Sequence, residues 1–184
     1  MKILVVKPFK TRQGFEDLIS VTEKCCGKNN VDLRFFDYCM DDEEYPAEPE
    51  KVSSNFRIFR EKREFTELGE YFKVFDKHSR DYDIVVSLDL SSLDVSSNYL
   101  TEILKPFQDT DVNMSYGDFN IRRGADVIPY FHHSFPSPLQ NYPLFAFRGP
   151  ILKEATQNLP QVISQNVLSK HIPKPLVTIY EESK

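Results

Sequence analysis

The chain is predicted to be an α/β protein with a mostly parallel central sheet flanked by helices. Two apolar runs carry that prediction. Ile84-Val85-Val86-Ser87-Leu88 is short and uninterrupted, as in a strand buried on both faces, and Ile3-Leu4-Val5-Val6 is another such run. A third observation is the helical spacing between strands, which gives a β-α-β order with a connection long enough for a parallel crossover. At 184 residues the chain has the length of one domain with a substantial core, and residues 1–184 are expected to form it.

In order, the first strand at Ile3 to Val6 is followed by an exit loop from Lys7 to Gln13. Phe15, Leu18, Ile19, Cys25 and Cys26 then repeat at helical spacing, and Gly27 with Asn29-Asn30 stops that helix. Val31 to Tyr38 is a second strand. Residues 41–50 hold six acids in ten positions, without the glycine-containing spacing of a calcium loop, and are expected to be a solvated loop. Phe56 to Phe59 is a short strand leading into the densest basic patch, Arg60, Lys62 and Arg63. Helical spacing returns between Thr66 and His78, and again over Tyr99, Leu100, Ile103, Leu104 and Phe107, with Ser96 or Ser97 as cap and Pro106 as limit. Val112 to Tyr116 and Phe119 to Ile121 suggest one strand broken at Gly117-Asp118. The aperiodic stretch from Gly124 to Pro143 is expected to be an ordered loop over the sheet, because its aromatic residues need burial. A strand at Leu144 to Phe147, a helix after Gly149-Pro150, a helix begun at Pro160 and a strand at Leu176 to Tyr180 complete the chain.

Composition narrows the function. Net charge is −5 with dispersed basic residues, which argues against broad nucleic-acid binding. No apolar run reaches the length of a membrane-spanning helix, and Met1 to Val6 is too short for a signal peptide, so a cytoplasmic protein is expected. Cys25, Cys26 and Cys39 show neither metal-ligand spacing nor the even number of a disulfide framework. The His132-His133 pair reads as loop histidines, since adjacent side chains rarely point at one ion.

The central apolar run ends in Asp89-Leu90-Ser91-Ser92-Leu93-Asp94. In an open α/β sheet, ligands sit just beyond the carboxyl ends of the strands. Polar residues there either hold a charged ligand or a metal ion, or form a turn before the next helix.

Asp83-Ile84-Val85-Val86-Ser87-Leu88-Asp89-Leu90-Ser91-Ser92-Leu93, followed by Tyr99-Leu100, resembles the strand, acidic signature and next helix of GT-A nucleotide-sugar-dependent glycosyltransferases. The opening Val5-Val6-Lys7-Pro8-Phe9-Lys10 resembles the first strand and nucleotide loop of mannosylglycerate-synthase-like members. Phe145-Ala146-Phe147-Arg148 is similar to the strand backing the sugar and acceptor site. The likeness covers roughly residues 1–156, and the compact size suits a minimal, virus-encoded member.

The resemblance implies a single-domain, Rossmann-like GT-A enzyme that moves a sugar from a nucleoside-diphosphate sugar to a hydroxyl acceptor. Pro8, Phe9, Lys10, Asp37, Arg60, Lys62, Asp89, Leu90 and Ser91 would bind the donor. Asp89, Ser91 and Asp94 would hold Mn²⁺ or Mg²⁺, since oxygen ligands suit such ions and a diphosphate leaving group needs positive charge. The family's Asp-X-Asp signature stands here as Asp89-Leu90-Ser91, with one acid rather than two. No acid occupies the expected base position, Asn158-Leu159-Pro160-Gln161. Glu154 and Asp118 are the nearest carboxylates for that role. Two alternatives accompany this reading: an inactive relative serving as a binding or assembly protein, and a nucleotidyltransferase of related fold.

Overall fold

Strand β1 (Lys2–Phe9) is buried from Ile3 through Phe9, as a strand covered on both faces must be. The structure, a computed structural model, describes residues 1–9, 14–38, 50–62, 81–88, 93–130, 143–150 and 168–180 of the chain. Helix α1 (Phe15–Cys25) follows, entered through Gly14 at φ 81°, a left-handed conformation that costs glycine little. The remaining strands are β2 (Asn30–Asp37), β3 (Glu50–Ser53), β4 (Phe56–Lys62), β5 (Ile84–Leu88), β6 (Leu93–Val95), β7 (Met114–Arg123), β8 (Asp126–Tyr130), β9 (Leu144–Arg148) and β10 (Ser169–Tyr180). Helix α2 (Tyr99–Leu104) lies between β6 and β7.

Ten strands among the described residues form one sheet in the order β3-β4-β2-β1-β5-β9-β7-β10-β6, with β8 beside β7. Its parallel centre is β4-β2-β1-β5. Strand β9 returns antiparallel to β5 and to β7, and β10 runs parallel to β7. The order reverses at β1: β2 pairs on one side of it and β5 on the other. The expected α/β class is the one observed, a large central sheet with helices α1 and α2 among the described residues. The sheet is mixed rather than mostly parallel: four of its nine strand pairings among the described residues are parallel and five antiparallel, because β3, β6, β8 and β9 return against their neighbours.

Alternation along the strands places Ile3, Val5, Phe9, Leu33, Phe35, Ile58, Val86 and Ala146 in one core with Phe15 and Leu18 of α1 and with Tyr99, Leu100 and Ile103 of α2. Phe15 stacks on Phe35 with centroids 4.2 Å apart and meets Phe9 edge-on at 4.2 Å. The two helices share a buried hydroxyl contact, Thr22 Oγ1 to Tyr99 Oη at 2.7 Å.

Several elements differ from expectation, each for a physical reason. The acidic loop ends one residue early, because Glu50 begins β3, which pairs antiparallel with β4. Arg60 and Lys62 lie within β4, held in register opposite Phe35 and Asp37, rather than in a basic loop. Asn98, not Ser96 or Ser97, is the residue preceding α2, and its carbonyl accepts from the Glu102 N–H. Helix α2 gives way at Lys105 to a 3-10 turn (Lys105–Gln108), a geometry that accommodates Pro106 near its start.

Strand β7 is unbroken through Gly117-Asp118. The Leu176 side chain fills the space a Cβ on Gly117 would occupy, and Asp118 is bonded across to His171. Gly124, at φ 59°, turns the chain into β8, so the stretch expected as loop begins with a hairpin. Strand β10 starts at Ser169 rather than Leu176, with register shifts around Pro175 that accommodate proline in a sheet. The helices expected over Thr66 to His78 and after Gly149 and Pro160 fall chiefly outside the described residues, as do Cys39, His132 and His133. No helix among the described residues is long and apolar enough to cross a membrane.

Candidate functional site at the carboxyl edge of the sheet

Three residues singled out from sequence stand in one row across the parallel strands. Phe9 is opposite Asp37, and Asp37 is opposite Lys62. The row ends β1, β2 and β4 together, beside the reversal in strand order where α/β sheets bind ligands. Asp37 is 2 % exposed, whereas Lys62 reaches solvent. Arg60, on the same face of β4 two positions earlier, lies 3.7 Å from Glu50 through Nη2. Its Nε is buried without a hydrogen-bond partner among the described residues. Pro8 and Phe9 are buried, and the Phe9 ring belongs to the aromatic cluster under α1. Any contact of Phe9 with a ligand would therefore involve its backbone rather than its ring face.

Strand β5 ends at Leu88. Lys10, Asp89, Leu90, Ser91 and Glu154 lie outside the described residues, as does Arg63. Asp94 is on β6 opposite Thr178, and its carboxylate accepts a hydrogen bond from the Tyr180 hydroxyl. That bond raises the Tyr180 phenol above its ordinary pKa. Among the described residues no three His, Cys, Asp or Glu side chains come together as metal ligands. They do not by themselves build a cation site.

A second row crosses the other half of the sheet. Val6 stands opposite Ser87, Ser87 opposite Phe145, Phe145 opposite Tyr116, and Tyr116 opposite His171. Asp118, two residues beyond Tyr116 on the same face, lies 2.7 Å from His171 Nε2 through Oδ1. The Tyr116 and His171 rings stack at 5.2 Å. His171 and Tyr116 had no distinguishing local signal: a histidine just before Pro173-Lys174-Pro175 reads as a connector until β10 is seen to pair with β7.

Comparison with solved structures identifies the architecture. The chain superposes on S. aureus TarS in complex with UDP-GlcNAc at a TM-score of 0.64 and 9% identity, covering 100% of this chain and 60% of that one. The mannosyltransferase PcManGT from Pyrobaculum calidifontis, in complex with GDP-Man and Mn²⁺, matches at 0.62 and 12% identity, with 97% and 56% covered. The chain has the GT-A fold. It spans less than two thirds of the length of both those proteins. The chain also superposes on 4-diphosphocytidyl-2C-methyl-D-erythritol synthase from Anaerococcus prevotii at a TM-score of 0.50 and 9% identity, covering 94% of this chain and 89% of that one. No protein-family model matches the chain, and no curated protein matches it in sequence.

Proposed function

We propose that this chain is a transferase that takes a sugar from a nucleoside-diphosphate sugar and delivers it to a hydroxyl acceptor. The observation that carries the reading is the row Phe9–Asp37–Lys62 at the carboxyl edge, beside the strand-order reversal of a GT-A fold. The nucleotide would lie over β1, β2 and β4. Pro8, Phe9, Lys10 and Asp37 would frame its base and ribose, and Lys10, Arg60 and Lys62 would face its diphosphate. The chain leaves β5 at Leu88 into Asp89-Leu90-Ser91, which would complete the site. A divalent ion there, held from Asp89 and Ser91 and supported by the Mn²⁺ bound in PcManGT, would supply positive charge to the leaving diphosphate. Asp94 is a weaker ligand in this reading, because its carboxylate already serves Tyr180.

The test is calorimetric titration of UDP, GDP and their sugar conjugates with and without Mn²⁺. Metal-dependent binding lost in Asp89→Ala supports the reading. Asp37→Ala should weaken nucleotide binding about 10-fold or more, the effect of losing a hydrogen bond to a charged group. No nucleotide binding under either condition would sink the donor site and favour an inactive relative serving as a binding or assembly protein.

One observation favours a second enzyme. The match to the diphosphocytidyl synthase covers 89% of that protein, against 60% of TarS and 56% of PcManGT. A nucleotidyltransferase would release pyrophosphate from a nucleoside triphosphate. The glycosyltransferase would release a nucleoside diphosphate from its donor.

A further inference from the structure

The flank of the sheet beyond β5 carries a polar pair that the donor side does not use. Asp118 is 1% exposed and His171 29%, so the pair is sealed at the carboxylate and open at the imidazole. The two side chains come from neighbouring strands, and Tyr116 fixes the imidazole plane by stacking on it. Asp118, as a carboxylate, only accepts, so the hydrogen between them sits on Nε2. In the neutral imidazole the lone pair is then on Nδ1, an atom that no described residue engages.

The second register row relates this imidazole to the end of β5. His171 stands three strands from Ser87, roughly 14 Å by strand spacing. It lies on the opposite flank from Asp37 and Lys62. Val6 and Phe9 are three positions apart on β1, so this row faces the other side of the sheet from Asp37 and Lys62. A donor lying along the carboxyl edge, with its nucleotide at β1, β2 and β4 and its diphosphate at β5, would present its sugar past that edge toward this flank.

We propose that His171, oriented by Asp118, is the base that takes the proton of the acceptor hydroxyl. The inference rests on the transferase reading above. The acceptor O–H proton passes to Nδ1 while the acceptor oxygen bonds to the anomeric carbon. The bond from that carbon to the diphosphate oxygen breaks, and its electron pair leaves with the nucleoside diphosphate. The imidazolium, stabilised by Asp118, then returns the proton to solvent. His171 is the catalytic residue and Asp118 the positioning residue, and the displacement inverts the anomeric centre.

The experiment uses the whole chain with UDP-GlcNAc or GDP-Man, water as acceptor, and release of the nucleoside diphosphate as readout. His171→Ala is expected to lower kcat about 100-fold or more, the range of a general base, with nucleotide affinity unchanged. Added imidazole should restore part of that kcat, which it would not do for a merely structural histidine. Asp118→Asn should lower kcat at unchanged nucleotide affinity, without rescue by imidazole. His171→Ala turning over within about three-fold of wild type would overturn the base and leave the transferase standing. Wild-type protein that binds neither nucleotide sugar would overturn both. If His171→Ala does not fold, diethyl pyrocarbonate on the wild type, mapped by mass spectrometry, decides the matter. Turnover lost in step with His171 modification, at intact nucleotide affinity, supports the base, and turnover that survives His171 modification overturns it.

Discussion

Asp32 on β2 accepts both prongs of the Arg57 guanidinium from β4, Nε to Oδ1 at 2.8 Å and Nη2 to Oδ2 at 2.6 Å. The two residues are register partners, and the buried Tyr82 hydroxyl donates to the same carboxylate. Asp32 is sealed from water whereas Arg57 is 45% exposed. The pair is therefore asymmetric. Arg57→Ala strands a buried carboxylate and should cost about 2–3 kcal/mol, less than for a pair buried on both sides. Asp32→Asn removes the buried charge and keeps one oxygen, which at the Oδ2 position still accepts from Arg57 Nη2 and Tyr82 while its NH2 faces Arg57 Nε, and it should cost about 1 kcal/mol. Urea denaturation of both variants checks the order, and equal costs would show that the buried charge is not the deciding quantity.

The same network sets a pH limit. Burial, then the bond to Asp32, pushes the Tyr82 phenol up to about 12 from an ordinary 10.0. A group raised on folding contributes stability that is complete below its unfolded pKa and is lost as pH rises through the folded value. Stability should thus fall between about pH 10 and about pH 12. Tyr82→Phe should flatten that slope without removing it, because burial also raises Tyr99. Thermal melts across this range measure both slopes.

Thr22 and Tyr99 join α1 to α2 through one shared hydrogen. Thr22 Oγ1 donates its only hydrogen to the Leu18 carbonyl at 2.6 Å, so across the 2.7 Å contact Tyr99 is the donor. Thr22→Val leaves a fully buried phenol without its acceptor and should cost about 2 kcal/mol. Tyr99→Phe leaves Thr22 still bonded to Leu18 and should cost about 1 kcal/mol. The double variant should fall well short of the sum. Chemical denaturation of the four proteins tests this, and strict additivity would deny the shared bond.

Gly117 lets β10 close on β7. A Cβ there would stand 2.9 Å from Leu176 Cδ1 and 3.1 Å from Cγ, and Leu176 is buried. Gly117→Ala is therefore expected to destabilise by about 1–3 kcal/mol through overpacking. Adding Leu176→Val, which shortens the obstructing side chain, should recover part of the loss. A double variant no more stable than Gly117→Ala alone would assign the cost to the backbone instead.

Sequence by itself determined the elements whose signal is local. Ile3 to Val6 and Ile84 to Leu88 are continuous apolar runs because both faces of those strands are covered. The helix from Phe15 follows from 3.6-residue spacing and a stop at Gly27. Asp37 was also legible as a polar group near the end of an apolar strand, whereas the extension of β4 through Arg60 to Lys62, and the pairing that sets Lys62 beside Asp37, were not. Tertiary structure alone decided which strands are neighbours: the return of β9 between β5 and β7, the β3 edge and the long β10. It also turned the apparent break at Gly117-Asp118 into a close strand approach and a bonded carboxylate, and brought His171 to Asp118 across 53 positions of chain. Strand pairing joins residues far apart in sequence, and no local spacing carries that information. An apolar run and a helical stripe can be read one turn at a time, whereas a partner becomes visible only when the sheet is assembled.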